Sequence, residues 1–272
     1  MMSHKFIYFG TPNVARDTLA RLLAAGFTPA LVVTAPDAPR GRGLVLTPSP
    51  TRVLAEEHGI PTITPEVLDA ETLATIRAVG ASYALCIAYG KIFPESLIQS
   101  FPLGVLNVHY SLLPKYRGAT PLEAALLAGD QETGVTIQKM VKALDAGDVI
   151  AQRATPIGAN ETARELRPRL ITLGADLLIE TLPHYLAGEI TPVAQDETQV
   201  SRSGKFQKED GLLDLAGDAR ENWNKYRAYT DSIGTYFFKD DKRMKITVAS
   251  FMGGQFIVDR VIPEGKKETA YR

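Results

Sequence analysis

The pattern that most constrains this chain is a repeated alternation of short apolar runs with helix-length segments. Lys5–Phe9 (KFIYF) is β-branched and aromatic, and Gly10-Thr11-Pro12 follows it. Residues 14–25 place Val14, Ala15, Thr18, Leu19, Leu22 and Leu23 at helical spacing and stop at Gly26; Ala30–Thr34 (ALVVT) is a second apolar run. Strand, glycine turn, helix and strand make a βαβ unit, whose crossover is right-handed. The alternation continues with a helix expected over 51–58, a strand over 61–64 and a helix over 65–79. Strands over 82–88 and 105–108 follow, with a short helix over 94–100 between them. Continuous apolar strands separated by helices predict an α/β fold, a mostly parallel sheet with helices on both faces.

Further on, 120–128 reads as a helix opened by Pro121, which suits the first helical position. Residues 134–141 (GVTIQKMV) and 148–154 (DVIAQRA) alternate apolar and polar side chains, as a strand pair near a sheet edge does. Residues 161–187 form one long helix or a kinked pair, with Pro168 and Pro183 as breakers, and close a first domain at 1–194. Residues 195–209 are polar without apolar periodicity and read as a linker. From 210 to 272 the character changes: a helix over 219–229 carries Trp223 and Tyr226, and three short strands are expected over 235–239, 243–251 and 255–262. This is a small C-terminal β domain. Residues 201–272 hold 14 Lys and Arg against 11 Asp and Glu, while the preceding 200 hold 16 against 20. The sign suits a small domain that touches an anionic partner. The net charge of −1 over 272 residues excludes gripping nucleic acid by bulk positive charge.

Several chemistries have no support. The single Cys86 excludes a disulfide framework, and His4, His58, His109 and His184 lack ligand spacing, so no metal is expected. Gly10-Thr11-Pro12 is not a dinucleotide fingerprint, and no phosphate-binding GxxxxGK[ST] occurs. With no secretory signal and no apolar run near the roughly 18 residues that span a bilayer, the expected location is cytoplasmic.

The stretch Gly104–Pro121 (GVLNVHYSLLPKYRGATP) concentrates what remains. Asn107 and His109 stand two apart, so a strand points both to one face. A carboxamide and an imidazole side by side can donate to one developing oxyanion; the plain alternative is two satisfied polar groups at a strand end. Asp145, in a glycine-containing loop, could orient the imidazole and accept a proton through water, or simply close an Asx-turn. Ser111-Leu112-Leu113-Pro114 reads as a rigid turn at the strand end, where open α/β sheets bind ligands. Arg117 before Gly118 reads as an exposed cationic contact or a solvated loop. The loop Pro36–Pro50 carries Arg40 and Arg42 between prolines and glycines, and either binds phosphates or merely solubilises.

Taken together, several segments resemble one family. They are FGTP at Phe9–Pro12, PDAPRGRG…LTPSP at Pro36–Pro50, AYG at Ala88–Gly90, NVHYSLLPKYRGATP at Asn107–Pro121, ETGVTIQKM at Glu132–Met140 and LDAGD at Leu144–Asp148. In this order they resemble the methionyl-tRNA formyltransferases, the tRNA branch of the enzymes that use 10-formyltetrahydrofolate. The resemblance implies a Rossmann-like formyltransferase fold with Asn107, His109 and Asp145 as catalytic group. It implies a folate pocket shaped by Ala88, Tyr89, Gly90, Ser111, Leu112, Leu113, Pro114 and Leu144, and tRNA contacts from Arg40, Arg42 and Arg117. The partners implied are initiator methionyl-tRNA and 10-formyltetrahydrofolate, with no metal and a monomeric enzyme. Only about 60 residues follow the linker, too few for a five-stranded Greek-key barrel, so a reduced, partly open oligonucleotide-binding-type barrel is expected. Two alternatives share part of the pattern: a formyltransferase acting on an amino-sugar nucleotide, and a non-catalytic folate- or tRNA-binding protein.

Overall fold

The computed structural model describes residues 4–41 and 43–271. Strand β1 (Phe6–Gly10) is buried at all five positions. Helix α1 (Asn13–Ala24) returns over the sheet with Ala15, Thr18, Leu19 and Leu22 inward, and β2 (Leu31–Val33) pairs with β1 in parallel. A two-stranded hairpin follows, β3 (Ala38–Arg40) with β4 (Val45–Thr47). Helix α2 (Pro50–Glu57) begins where the Ser49 side chain accepts from the Arg52 N–H, with proline in the first turn. After β5 (Thr62–Ile63), helix α3 (Ala70–Ala78) starts later than the apolar spacing predicts. The Asp69 carboxylate caps it by accepting from the Thr72 N–H, and residues 65–69 stay outside.

Strand β6 (Tyr83–Ile87), the short helix α4 (Glu95–Ile98) and β7 (Val105–His109) complete the parallel part. Then come β8 (Arg117–Gly118), α5 (Pro121–Ala128) and the antiparallel β9 (Glu132–Lys139) and β10 (Val149–Pro156). Helix α6 (Ala163–Leu186) is a single 24-residue helix that runs through Pro168 and Pro183. Eleven of its residues are buried against the sheet and its neighbours, and that packing outweighs the backbone bonds the prolines remove.

The sheet order is β10-β9-β7-β6-β1-β2-β5, with β5 to β7 parallel and the β9–β10 pair antiparallel at one edge. The expected α/β architecture is present. Alternate side chains of β1 serve two cores: Phe6 and Tyr8 pack with Leu19, Leu22, Leu170 and Leu178, while Ile7 and Phe9 pack with Leu73, Ile76 and Leu97. The loops after β1, β2 and β6 are tied at one edge. Thr11 Oγ1 donates to Tyr89 O and accepts from Ala35 N, each at 3.2 Å.

The stretch 195–209 carries β11 (Arg202–Ser203), which pairs in parallel with β8. Its polar composition serves contacts with the first unit. Helix α7 (Ala219–Tyr229) then covers a sheet of β12 (Thr235–Lys239), β13 (Lys242–Met252), β14 (Gln255–Pro263) and β15 (Thr269–Ala270). The strands follow in chain order as an open meander whose edge strands β12 and β15 do not pair with each other. Trp223 is its anchor, stacked on Tyr226 at 5.5 Å and on Phe251 at 6.1 Å between ring centroids. The two units share an apolar core, in which Ala228 and Tyr229 of α7 pack with Leu122 and Leu126, and polar contacts add to the join. Arg167 donates to Glu123 and Asp231 at 2.6 and 2.8 Å, and the buried Arg227 reaches the carbonyls of Gly158 and Glu161. Among the described residues no helix is long and apolar enough to cross a membrane.

Because Trp223 fills the centre of the C-terminal core, Trp223→Ala is expected to cost about 3–5 kcal/mol. Urea unfolding followed by circular dichroism measures the loss.

Candidate active site

His109 ends β7 with its imidazole buried. Its Nε2 lies 3.0 Å from the Tyr116 carbonyl oxygen, which can only accept, so this nitrogen carries the proton in the neutral ring. The other nitrogen, Nδ1, stands 3.7 Å from Asp145 Oδ1, beyond hydrogen-bond length. The carboxylate is instead held by two other donors. The Gly118 N–H reaches Oδ2 at 2.9 Å, and Gln138 Nε2 reaches Oδ1 at 2.8 Å.

Burial pushes the His109 imidazole below its ordinary range; the Asp145 charge and the Tyr116 carbonyl oppose the shift without reversing it. The ring is therefore neutral near pH 7, and its open lone pair is on Nδ1. Burial also pushes the Cys86 thiol up to about 12, with the nearby Asp145 charge adding to the effect. Cys86 pairs in register with Asn107 across β6 and β7, so the carboxylate lies near the place where these two strands meet. Asn107, half-buried, faces Gln138 across β7 and β9, which puts both carboxamides on one face of the sheet. The Gln138 Oε1 is buried without a hydrogen-bond partner.

The backbone here is strained. Ala88, Tyr116 and Asp145 have φ values of 47°, 60° and 51°, in the left-handed region that costs an ordinary residue about 1 kcal/mol or more. Two glycines make room beside them. A Cβ on Gly147 would overlap the Lys139 carbonyl oxygen, and one on Gly118 would overlap that of Ser203.

The expected residues fall into groups. Asn107, His109 and Asp145 share one neighbourhood. Ser111 is buried and donates to the Lys115 carbonyl at 2.6 Å, which braces the turn from behind. The turn is also pinned by Thr136, whose hydroxyl donates to Ser111 O and accepts from Leu113 N. Leu112, Leu113 and Pro114 line a cavity of about 440 Å³ with Tyr116, Asp130 and Thr133. Ala88, Tyr89, Gly90 and Leu144 do not line that cavity; Tyr89 is buried against Phe9 and Phe93, and Leu144 is 64% exposed.

Arg117 is a correction. Expected as an exposed contact for tRNA, it is 3% exposed, with its guanidinium on Gln195 and Glu197 at 2.6–3.2 Å. A buried guanidinium already engaged by an amide and a carboxylate is not presented to a phosphate. Arg40 lies in strand β3, and Arg42 falls outside the described residues. The hairpin that carries Arg40 exposes Leu44, Val45 and Leu46. Sequence reasoning missed Gln138 and Gln195. The only signal for Gln138 was a carboxamide inside an otherwise alternating strand; Gln195 had none. Among the described residues no three His, Cys, Asp or Glu side chains cluster as metal ligands do.

A buried imidazole beside a fixed carboxylate, with a carboxamide on the same strand face, has the chemistry that acyl transfer can use, and the chain belongs to the formyl transferase family, whose model matches residues 4–182. Within that family it falls among the methionyl-tRNA formyltransferases. The one from Citrifermentans bemidjiense is 42% identical over 247 residues, covering 90% of this chain and 78% of the relative. The one from Geobacter sulfurreducens is 39% identical over 269 residues, covering 97% and 85%. A solved methionyl-tRNA formyltransferase from Clostridium thermocellum superposes with a TM-score of 0.64 at 14% identity, covering 99% of this chain and 100% of that one. A sugar 3N-formyl transferase, solved with dTDP and 5-N-formyl-THF, superposes with a TM-score of 0.70 at 18% identity over 97% and 99%. At such identities the structural likeness is one of fold.

A native His109 that titrates below its ordinary value of 6.5 binds fewer protons than the unfolded chain does between the two values. Its contribution to stability is complete above about pH 6.5 and is lost as the pH falls. Urea unfolding at pH 7.5 and 5.5 is expected to give a larger acid loss for the wild type than for His109→Asn.

Proposed function

We propose that this protein moves the formyl group of 10-formyltetrahydrofolate to the α-amino group of methionine on initiator methionyl-tRNA, with Asn107, His109 and Asp145 as its catalytic group. The observation that carries the residue assignment is the buried His109 beside an Asp145 held by two donors, with Asn107 on the same strand. The relatives at about 40% identity support this acceptor over an amino sugar.

The amine attacks the formyl carbon, a nitrogen–carbon bond forms, and the carbonyl electron pair moves onto oxygen. The Asn107 carboxamide donates an N–H to that oxyanion. His109 enters neutral, with its Nε2 proton held by the Tyr116 carbonyl, so Nδ1 is free to take the proton released by the amine. The imidazolium then faces the Asp145 carboxylate across 3.7 Å, and their attraction offsets part of the penalty that burial places on the charged ring. Collapse of the oxyanion breaks the bond to N10 of the folate, and the imidazolium returns its proton to that nitrogen. Burial favours this neutral starting state of the ring.

The buried Tyr89 and Ser111 would shape the folate pocket from behind. Ala88 and Gly90, the Leu112–Pro114 turn and the exposed Leu144 would form its wall. Arg40 and Arg42 would contact the phosphates of the tRNA acceptor arm, on a hairpin whose apolar Leu44–Leu46 can lie against bases.

The test is to incubate the protein with 10-formyltetrahydrofolate and methionyl-tRNA and look for the formyl mass on methionine. Formylation of a sugar amine in place of this acceptor would overturn the reading. Asn107→Ala and His109→Ala are each expected to lose about 10²–10³ in kcat. The double substitution Arg40→Ala/Arg42→Ala is expected to weaken tRNA binding and lower its salt slope by roughly 2. Filter binding across a salt series measures it.

A further inference from the structure

Three hydrogen bonds around the catalytic carboxylate converge on Gln195, which lies beyond α6 and outside the main sheet. Its Nε2 donates to the Asp145 carbonyl at 2.9 Å and to the Gly147 carbonyl at 2.7 Å. Its Oε1 accepts from Arg117 Nε at 2.9 Å. Both amide protons are thus spent on the turn that carries Asp145, and the amide oxygen on a buried arginine.

Arg117 stands between two residues that orient the catalytic pair. The Tyr116 carbonyl before it meets His109 Nε2, and the Gly118 N–H after it donates to Asp145. Its remaining nitrogens close on Glu197 of the same crossing segment, at 2.6 and 3.2 Å. The backbone repeats the pattern. The Arg117 N–H donates to Ser201 O at 2.9 Å, and the Tyr116 N–H donates to Ser201 Oγ at 2.9 Å. The segment 195–203 therefore grips both sides of the site at once.

The turn it grips needs holding. Asp145 sits at φ 51°, and Gly147 is pressed against Lys139 so closely that no side chain fits. A strained turn keeps its shape only where its surroundings over-determine it. Two carbonyls bonded to one side-chain amide do that directly.

We propose that Gln195 is a positioning residue for formyl transfer: it locks the Asp145–Gly147 turn to Arg117, so that the segment joining the two units is a working part of the catalytic centre. The role rests on Asp145 acting as described under the proposed function.

Gln195→Glu separates this role from general support. The new carboxylate still meets Arg117 but cannot donate to the two carbonyls. The expected result is a fall in kcat of about 10- to 100-fold, the scale of a misplaced catalytic group. KM for both substrates stays within about threefold, the midpoint of thermal unfolding stays close to the wild type, and the acid limb of the kcat–pH profile moves because the Asp145–His109 spacing changes. Gln195→Leu, which removes all three bonds, is expected to lose at least as much kcat. Wild-type turnover in Gln195→Glu overturns the positioning role. So does a kcat loss that merely follows a fall in melting temperature with an unmoved pH profile. A wild-type protein that does not formylate methionyl-tRNA overturns the functional reading itself, whereas an active wild type with an equally active Gln195→Glu overturns the positioning role alone.

Discussion

The interaction on which the rest depends is the pair of hydrogen bonds that holds the Asp145 carboxylate. A carboxylate with most of its surface removed from water is costly unless its oxygens are met by donors. Here one donor is a backbone N–H from Gly118 and the other is the amide of Gln138. Meeting both requires an unusual backbone on each side: Asp145 itself at positive φ, Tyr116 likewise, and glycines at 118 and 147 where neighbouring carbonyls leave no space. The strain belongs to the site and is sustained by the packing around it.

From that arrangement the state of His109 follows. Because Asp145 is already engaged, it stops at 3.7 Å from Nδ1, near enough to favour a positive ring and too far to bond it. Burial then decides for the neutral imidazole. A ring that is neutral at rest and stabilised when charged can take a proton and give it back within one turnover. The parallel sheet contributes by bringing the ends of β6 and β7 side by side, so that Cys86 and Asn107 stand in register and the Asp145 charge is felt at Cys86. The second unit contributes through its tether, because 195–203 crosses β8 before the chain reaches α7.

Much of the fold was legible in local pattern. The apolar runs at 5–9, 30–34 and 82–88 have no polar face, so they could only be buried strands, and the helical spacing between them fits only crossover connections. Disagreements came where a single side chain or distant packing set the outcome. Asp69 moved the start of α3 by capping it, and packing carried α6 through its two prolines. In the site, Asn107 and His109 were legible because a strand's two-residue period puts them on one face. Arg117 was misread for a concrete reason: exposure is no property of an Arg-Gly pair, and here Gln195 and Glu197, about 80 residues later, enclose it.

The amino-acid sequence by itself determined that this chain builds a parallel α/β sheet, that an Asn and a His share a face at the end of one strand, and that its motifs belong with the formyl transferases. These follow from short-range periodicity and from residues close together in the chain. Only the tertiary structure decided the protonation of His109, the partners of Asp145 and the place of the polar stretch 195–203. Each of these depends on desolvation and on hydrogen bonds between groups far apart in sequence. A glutamine in a polar stretch looks the same whether it faces water or closes the turn that carries Asp145, and only the folded chain sets the two carbonyls within its reach.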